Sequence, residues 1–110
     1  MTTVTIDKGA DGNYSGFAVD GHTGYAVMGN DVACAAVSVL TINTINSIES
    51  LTSDGDKLSV TTNEEEGIIR CRFTAPLSEG SELLMGSFEL GVSEISARYG
   101  SDVVRVRVRE

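Results

Sequence analysis

The predicted architecture depends on one segment, residues 31–51, which reads DVACAAVSVLTINTINSIESL. Its many β-branched residues favour a strand, since valine, isoleucine and threonine are poor helix formers. A segment of roughly twenty residues without a turn signal is, however, far longer than an ordinary strand. Apolar side chains also recur every three to four residues, the period of a helix, at Ala35, Val39, Ile42, Ile45 and Ile48. We therefore predict a helix, buried on most sides because its first half is almost continuously apolar.

Two strands are predicted on the N-terminal side of this helix. Residues 2–7 (TTVTID) alternate and are rich in threonine, valine and isoleucine, and residues 14–20 (YSGFAVD) follow a glycine-containing turn. The two form a hairpin. Gly21 ends the second strand, and a loop containing His22 begins there. A residue at such a strand end is well placed to present its side chain to a cleft.

A second hairpin and a second helix are predicted on the C-terminal side. Residues 58–62 (LSVTT) and 67–73 (GIIRCRF) flank the acidic turn NEEE, and the alternation assigns Cys71 to the core. The helix after Pro76 has Ser78 as its N-cap and Gly100 as its stop. Its apolar stripe comprises Leu84, Phe88, Gly91, Val92, Ile95 and Tyr99, and Gly86 and Gly91 would allow close approach of another helix, within the domain or across a dimer.

The last segment, DVVRVRVRE, alternates strictly and predicts a strand. Its valines, Val104, Val106 and Val108, are expected to face inward, and its arginines, Arg105, Arg107 and Arg109, to form a solvated face. The summed order is ββαββαβ. We expect one α+β domain over residues 1–110, with a largely antiparallel sheet and two helices packed on one face.

Composition limits the classes of function. The chain has 110 residues and a net charge of −8, which opposes direct binding to nucleic acid and favours a basic partner. We expect no membrane-spanning segment, since no apolar run is long enough, and no signal peptide. A cytoplasmic location follows as the expectation, with Cys34 and Cys71 reduced rather than joined.

The chemistry is predicted to centre on Cys34. Asp31 is a suitable N-cap, which places Cys34 at the third helical position, where the helix dipole favours a thiolate. His22 lies twelve residues earlier in the chain and is the candidate base. The first-turn N–H groups provide an oxyanion site. Asp31 could instead orient the imidazole of His22, or do both. The loop glycines and a serine one turn after the cysteine complete the predicted substrate site: Gly24, Gly29 and Ser38.

Two alternatives remain open on residue types and spacing. A dimeric module without catalysis could bind basic proteins through its acidic surface. A metal site could use His22, Cys34 and Asp31, although two cysteines and one histidine are few for a four-ligand zinc site.

Residues 21–38, GHTGYAVMGNDVACAAVS, closely resemble the signature of the bacterial ribosomal-processing cysteine protease family Prp. That family has a Gly-His-small pair, a glycine-containing loop and an Asp-x-x-Cys-Ala-Ala/Gly-x-Ser helix start in this order. His22 matches the catalytic histidine and Cys34 the nucleophile. The remaining matches are Asp31 (the acidic position), Gly21 (the residue before the histidine) and Ser38 (the helix serine). The chain departs from the pattern in the residues before Cys34, where Ile-Val is usual, and at Thr23, where alanine is usual.

The resemblance covers essentially the full length and implies a homodimeric cytoplasmic cysteine endopeptidase without a cofactor. Its implied partner is the N-terminal segment of large-subunit ribosomal protein twenty-seven. The enzyme removes that protein's short extension at an apolar, aromatic-containing sequence. A ribosomal protein is basic, which agrees with the acidic charge of this chain.

Overall fold

The computed structural model describes residues 1–21 and 31–110, the side chain of Asp31 excepted. Two 21-residue helices and five strands make up the described chain, with one turn of 3-10 helix at Gly55–Lys57 before the third strand. They are β1 (Thr2–Lys8), β2 (Tyr14–Asp20), α1 (Asp31–Leu51), β3 (Leu58–Asn63), β4 (Ile68–Phe73), α2 (Glu79–Tyr99) and β5 (Val104–Arg109). The order ββαββαβ is therefore confirmed.

The five strands form a single sheet in the order β3-β4-β2-β1-β5. β1 pairs antiparallel with β2, β2 with β4, and β3 with β4. β1 and β5 run parallel, so the sheet is mostly antiparallel, as predicted. Both helices cover one face, where the largest buried side chains of sheet and helices meet: Phe17, Phe88, Ile6, Ile48 and Met85.

Segment 31–51 is the predicted helix, but its buried face differs from the predicted stripe. Ala33, Val37 and Ile48 are fully buried, whereas Val39 is 66% exposed and Ile42 is 50% exposed. Two buried threonines, Thr41 and Thr44, satisfy their hydroxyls on carbonyls one turn earlier and so share the inner face. The prediction of burial on most sides was wrong, because apolar residues lie on both faces of α1 and the sheet covers one of them.

The expectation about membrane-spanning segments also needs correction. Val32–Leu51 is long and apolar enough to cross a bilayer, with a mean hydropathy of 1.4. Length and composition alone are weak evidence for a membrane-spanning helix, since a core helix of a folded domain can be equally long and apolar. The inner face of α1 packs against the sheet, as a core helix does.

The boundaries of α2 follow the prediction. Ser78 is the N-cap, its hydroxyl accepting from the N–H of Ser81, and Gly100 ends the helix at φ 101°. A Cβ on Gly91 would lie 2.9 Å from Leu40 Cδ1, so Gly91 lets α2 approach α1 within the domain. The sequence predicted close approach of another helix either within the domain or across a dimer, and the contact at Gly91 is within the domain.

Burial decreases along β5. Val104 is fully buried and Val106 is partly buried, but Val108 is 48% exposed, so the inward prediction fails at the third valine. β5 is an edge strand, with a neighbouring strand on one side alone. Arg105, Arg107 and Arg109 are all exposed, as expected.

Candidate active site

Cys34 lies in the first turn of α1 and is buried, with 8% of its surface exposed. α1 begins at Asp31, which is therefore the first helical residue rather than the predicted N-cap. Cys34 is accordingly the fourth helical residue, not the third. The uncompensated backbone N–H groups of this turn carry the positive end of the helix dipole. That end suits a developing oxyanion.

A hydroxyl from the first strand contacts the cysteine sulfur. Thr2 Oγ1 donates a hydrogen bond to Cys34 Sγ at 3.2 Å, and the whole threonine is buried. The same hydroxyl also lies 3.3 Å from the carbonyl oxygen of Gly21. With one proton to donate, it serves one acceptor at a time, and a negatively charged sulfur is a far stronger acceptor than a neutral one.

Thr2 was missed by the sequence analysis, which treated it as an ordinary strand residue. The alternation of β1 places Thr2 on the inner face, together with Val4 and Ile6. A hydroxyl among inward-facing residues needs a partner, because an unpaired buried polar group is costly. That signal was present, but no local pattern points to a sulfur 32 residues away.

Gly21 holds the end of β2 against both neighbouring strands. Its N–H donates to the carbonyl of Gly67 at 2.8 Å, and its own carbonyl faces Thr2. Its φ of 93° lies in the left-handed region, and a Cβ there would be 2.6 Å from the carbonyl oxygen of Met1. Both features require glycine directly before His22.

Ser38 follows Cys34 by one turn of α1, as predicted. It is partly buried, and its hydroxyl donates to the carbonyl oxygen of Cys34 at 3.0 Å. The side chain is therefore engaged with the helix backbone at the residue that carries the thiol. Its predicted place at a substrate pocket stays a prediction.

Several predicted site residues fall outside the described part of the chain. His22, Gly24 and Gly29 belong to residues 22–30, and the side chain of Asp31 is likewise outside it. Their predicted roles as base, loop hinges and orienting acid stay predictions. The structure places the Ser38 hydroxyl on the carbonyl of Cys34. It also adds Thr2, whose hydroxyl lies between the carbonyl of Gly21 and the sulfur of Cys34.

The second cysteine has a different environment. Cys71 is fully buried in the core beside Phe17, its register partner on β2, and burial raises the pKa of its thiol to about 12. Both cysteines are free. Cys71 is thus the core residue that the alternation of β4 predicts, and a poor nucleophile.

The metal alternative finds no support in the described residues. Across residues 1–21 and 31–110, no group of three histidine, cysteine, aspartate or glutamate side chains could hold an ion. Two of the three proposed ligands, His22 and Asp31, have side chains outside that description, so their combination with Cys34 is untested.

Solved structures share this fold over nearly the whole chain. The ribosomal processing protease Prp from S. aureus, in complex with a substrate peptide, superposes with a TM-score of 0.89 at 21% identity, covering 98% of this chain and 99% of that one. The same protease with a covalently linked product peptide gives 0.85 at 22%, with the same coverage. SMU.848 from Streptococcus mutans gives 0.82 at 24%, covering 100% and 96%.

The family comparison covers most of the sequence. A search of curated proteins gave no match. The family model described as cysteine protease Prp, in contrast, matches residues 1–104, which include the end of β2, the start of α1 and the whole of α2, and stop at the first residue of β5. Together with the thiol in the first turn of α1, this match shows that the chain belongs to the Prp family of cysteine proteases.

Proposed function

We propose that this chain is an endopeptidase that removes the short N-terminal extension of large-subunit ribosomal protein twenty-seven in the bacterial cytoplasm. The observation that carries the proposal is the environment of Cys34, a thiol at a helix N-terminus that accepts a hydrogen bond from the buried Thr2 hydroxyl. Substrate identity rests on the family and on the similar S. aureus enzyme, whose structure is described as that of a ribosomal processing protease.

The proposed reaction begins with loss of the Cys34 proton to His22. The sulfur then attacks the scissile carbonyl carbon, and the carbonyl π electrons move to oxygen as the C–S bond forms. First-turn N–H groups of α1 stabilise this oxyanion, each donor contributing about 3 kcal/mol in comparable sites. The oxyanion electrons then re-form the carbonyl and the C–N bond breaks, while protonated His22 gives its proton to the leaving amine, which leaves a thioester on Cys34. Water then hydrolyses the thioester and restores the free thiol.

Charge supports a basic substrate. The chain has sixteen acidic and eight basic residues, so it attracts a cationic ribosomal protein over long distances. The resemblance to the family implies that the cleaved sequence has apolar and aromatic side chains. We therefore expect charge to accelerate encounter, and local contacts near Cys34 to choose the bond.

Cleavage of a peptide spanning the extension junction tests the proposal. Wild-type protein, Cys34→Ala and His22→Ala are incubated with the peptide, and products are identified by mass spectrometry. We expect one internal cut by the wild type and none by either variant. Cys71→Ala is the matched control, since it removes the other thiol and should keep the cut. Undiminished cleavage by Cys34→Ala would assign the nucleophile elsewhere.

The proposed enzyme is a homodimer that associates through the outer faces of α1 and α2. Val39 on α1 is 66% exposed and Leu90 on α2 is 63% exposed. A groove of about 680 Å³ runs between the two helices. Its lining is largely apolar: Val32, Ala35, Ala36, Val39, Leu40, Gly91, Glu94, Ile95 and Arg98. Exposed apolar surface of this extent is typical of association surfaces.

Light scattering after size-exclusion chromatography tests the dimer. Val39→Glu introduces a charge on the outer face of α1 and is expected to give a monomer of unchanged fold. Val60→Glu is the matched control, because Val60 is an exposed valine on β3, outside the groove. A monomeric wild type, or a dimer that survives Val39→Glu, contradicts this assignment.

A further inference from the structure

The sheet face turned away from the helices carries an array of arginines. β4 contributes Arg70 and Arg72, and β5 contributes Arg105, Arg107 and Arg109, all of them exposed. These are five of the eight basic residues in a chain whose net charge is −8. Among the acidic residues of the described strands, Asp7 and Asp20 share this face. A chain that is acidic overall therefore presents one locally basic surface, which we call the arginine face.

Strand register arranges the arginines in two columns. Arg70, Ala18, Thr5 and Arg107 lie side by side across β4, β2, β1 and β5, and Arg72, Gly16, Asp7 and Arg109 form the next row. Three strand spacings separate the columns, about 14 Å between backbones. The two central strands bear mostly small side chains, so the space between the columns is a trough, which Asp7 and its partners Arg72 and Arg109 cross in the second row.

Hollows along this trough are lined by guanidinium groups. One, of about 220 Å³, lies between Arg70 on one side and Arg107 and Arg109 on the other, and Asp20 also lines it. A second, of about 560 Å³, is bordered by Arg72, Arg109 and Lys8, and also by the acidic residues Asp7 and Glu110. Arg109 borders both hollows, and in each the arginines outnumber the acidic residues or equal them.

Part of the cationic charge is available to a ligand. Asp7 holds Arg72 and Arg109 at 2.7 and 2.9 Å, and these two arginines keep the pKa of that carboxyl below its usual value. In residues 1–21 and 31–110, Arg70, Arg105 and Arg107 form no ion pair. Arg107 donates to Thr5 Oγ1 at 3.4 Å. Successive arginines of one column are two residues apart, about 6.7 Å along the strand, close to the separation of neighbouring phosphates in a nucleic-acid strand.

The composition of the arginine face indicates the class of partner. Cores of protein–protein interfaces are depleted in charged residues and enriched in aromatic ones. The three rows of this face contain five arginines, two aspartates, one large apolar side chain (Ile68) and no aromatic ring. Interfaces with nucleic acid are polar and strongly cationic. Without aromatic rings for base stacking, contact through the phosphodiester backbone is the mode that this face suits.

We propose that the arginine face binds the phosphate backbone of RNA. The choice of RNA over DNA rests on the proposed function, since a ribosomal protein substrate is assembled on RNA; the choice of a phosphate backbone rests on the face alone. Overall charge opposes such binding, so the interaction is weak, independent of sequence and strongly salt-dependent. It complements the active site on the helix side, where Cys34 lies.

Fluorescence anisotropy with a labelled 20-base-pair RNA duplex tests the proposal, using the full chain at 25–150 mM KCl. The expected dissociation constant at physiological salt lies in the range of non-specific complexes, about 10⁻⁴ to 10⁻⁶ M. Contact with three to five phosphates gives a slope of log K against log salt of about −3 to −4.5. A DNA duplex of the same sequence and a 20-residue polyglutamate peptide are the comparison ligands.

The test variant is Arg70→Gln with Arg107→Gln, which removes one cation from each column and leaves the Asp7 pairs in place. We expect at least a tenfold loss of RNA affinity and a slope shallower by about 2. Arg98→Gln, on α2, is the control for a general loss of positive charge. Because Arg98 lines the groove of the proposed dimer surface, light scattering first establishes that this variant has the oligomeric state of the wild type, and its affinity should then change less than twofold. Circular dichroism confirms the fold, and cleavage of the junction peptide by the double variant should match that of the wild type.

Three results would overturn the proposal. The first is that the double variant and Arg98→Gln weaken RNA binding equally. The second is that anisotropy does not change at 100 μM protein and 25 mM KCl. The third is that the protein binds polyglutamate or DNA more tightly than RNA. Loss of peptide cleavage by Cys34→Ala leaves RNA binding untouched. Failure of the protease assignment and failure of the RNA proposal are therefore separate outcomes.

Discussion

The hydroxyl of Thr2 donates to Cys34 Sγ at 3.2 Å, joining the first residue of β1 to the first turn of α1. The carbonyl of Gly21 is the alternative acceptor for the same proton. Ionisation of Cys34 strengthens the bond to sulfur and draws the Thr2 proton from the carbonyl. In the proposed mechanism Thr2 is therefore a positioning residue, which stabilises the thiolate form of Cys34.

Thr2→Val removes this donor and keeps the side-chain shape. A hydrogen bond to a charged group contributes about 1.5–3 kcal/mol, so we expect kcat/KM for the junction peptide to fall about tenfold to a hundredfold. The rate of iodoacetamide alkylation of Cys34 at pH 7 should fall with it. Thr2→Ser should restore both rates. Thr3→Val makes the same chemical change on the opposite face of β1, and an equal loss there would remove the special role of Thr2.

Gly21→Ala is expected to lower both stability and activity. An alanine Cβ would meet the carbonyl oxygen of Met1 at 2.6 Å, and a φ of 93° is unfavourable for any side chain. Gly12→Ala is the matched control, since Gly12 has a φ of 83° with no atom within 4 Å of the new Cβ. Backbone strain alone costs about 1–2 kcal/mol, so urea unfolding should show that loss for Gly12→Ala and a larger one for Gly21→Ala.

Peptide cleavage separates the two glycine variants further. Gly21 directly precedes His22, so displacing it moves the predicted base, whereas Gly12 lies in the β1–β2 turn. Activity should be lost in Gly21→Ala and kept in Gly12→Ala when both are measured below their unfolding temperatures. Equal activity in the two variants would count against a role for the Gly21 backbone in placing His22.

Thiol labelling should distinguish the two cysteines in the folded protein. Burial raises the pKa of Cys71 to about 12, so its thiolate is scarce near neutral pH. We expect iodoacetamide at pH 7 to add one label, at Cys34, and a second label to appear after unfolding in urea. Peptide mapping by mass spectrometry locates each label. Prompt labelling of Cys71 in the native protein would contradict its burial.

Acid stability should depend on Asp54, a buried carboxylate at the start of α2. Lys57 Nζ lies 2.8 Å from one oxygen, and the N–H and hydroxyl of Ser78 donate to the other at 2.9 and 2.6 Å. The Lys57 ammonium, followed by the Ser78 and Ser81 hydroxyls, holds the pKa of Asp54 well below its ordinary value of 3.8. The folded state therefore binds this proton less readily than the unfolded state, so this carboxylate stabilises the fold above the unfolded pKa, and that stabilisation is lost as pH falls.

Asp54→Asn tests this dependence by thermal unfolding between about pH 7 and pH 2. We expect a lower Tm than wild type at pH 7 and a smaller further loss of Tm below about pH 4, because the titrating group is gone. Asp56→Asn removes a carboxylate from an exposed site two residues away and should follow the wild-type profile. A parallel acid profile for Asp54→Asn and wild type would show that another carboxyl controls acid unfolding.

Local sequence signals predicted the elements and several of their ends. The length of residues 31–51 identified α1 despite its β-branched residues, and Ser78 and Gly100 marked the ends of α2. These features depend on neighbours a few residues apart, which is the range over which capping and helical periodicity act. The same range explains why the motif around Cys34 was recognised, since the thiol and the helix start are adjacent in the chain.

The inner face of α1 was not predictable in this way. Apolar residues occur on both of its sides, so periodicity alone cannot tell Val37, which is fully buried, from Val39, which is 66% exposed. The choice follows from which side meets the sheet. Exposed apolar residues on the other side then become the proposed dimer surface.

The sequence by itself determined the order of elements, the core position of Cys71 and the helical setting of Cys34, because each depends on local patterns. Tertiary structure decided which distant residues meet. Thr2 reaches Cys34 across 32 positions, and Arg70 aligns with Arg107 because β1 pairs antiparallel with β2 and parallel with β5. Strand order and register arise from the packing of the whole chain, so the thiol's hydrogen-bond donor and the two arginine columns exist only in the folded sheet.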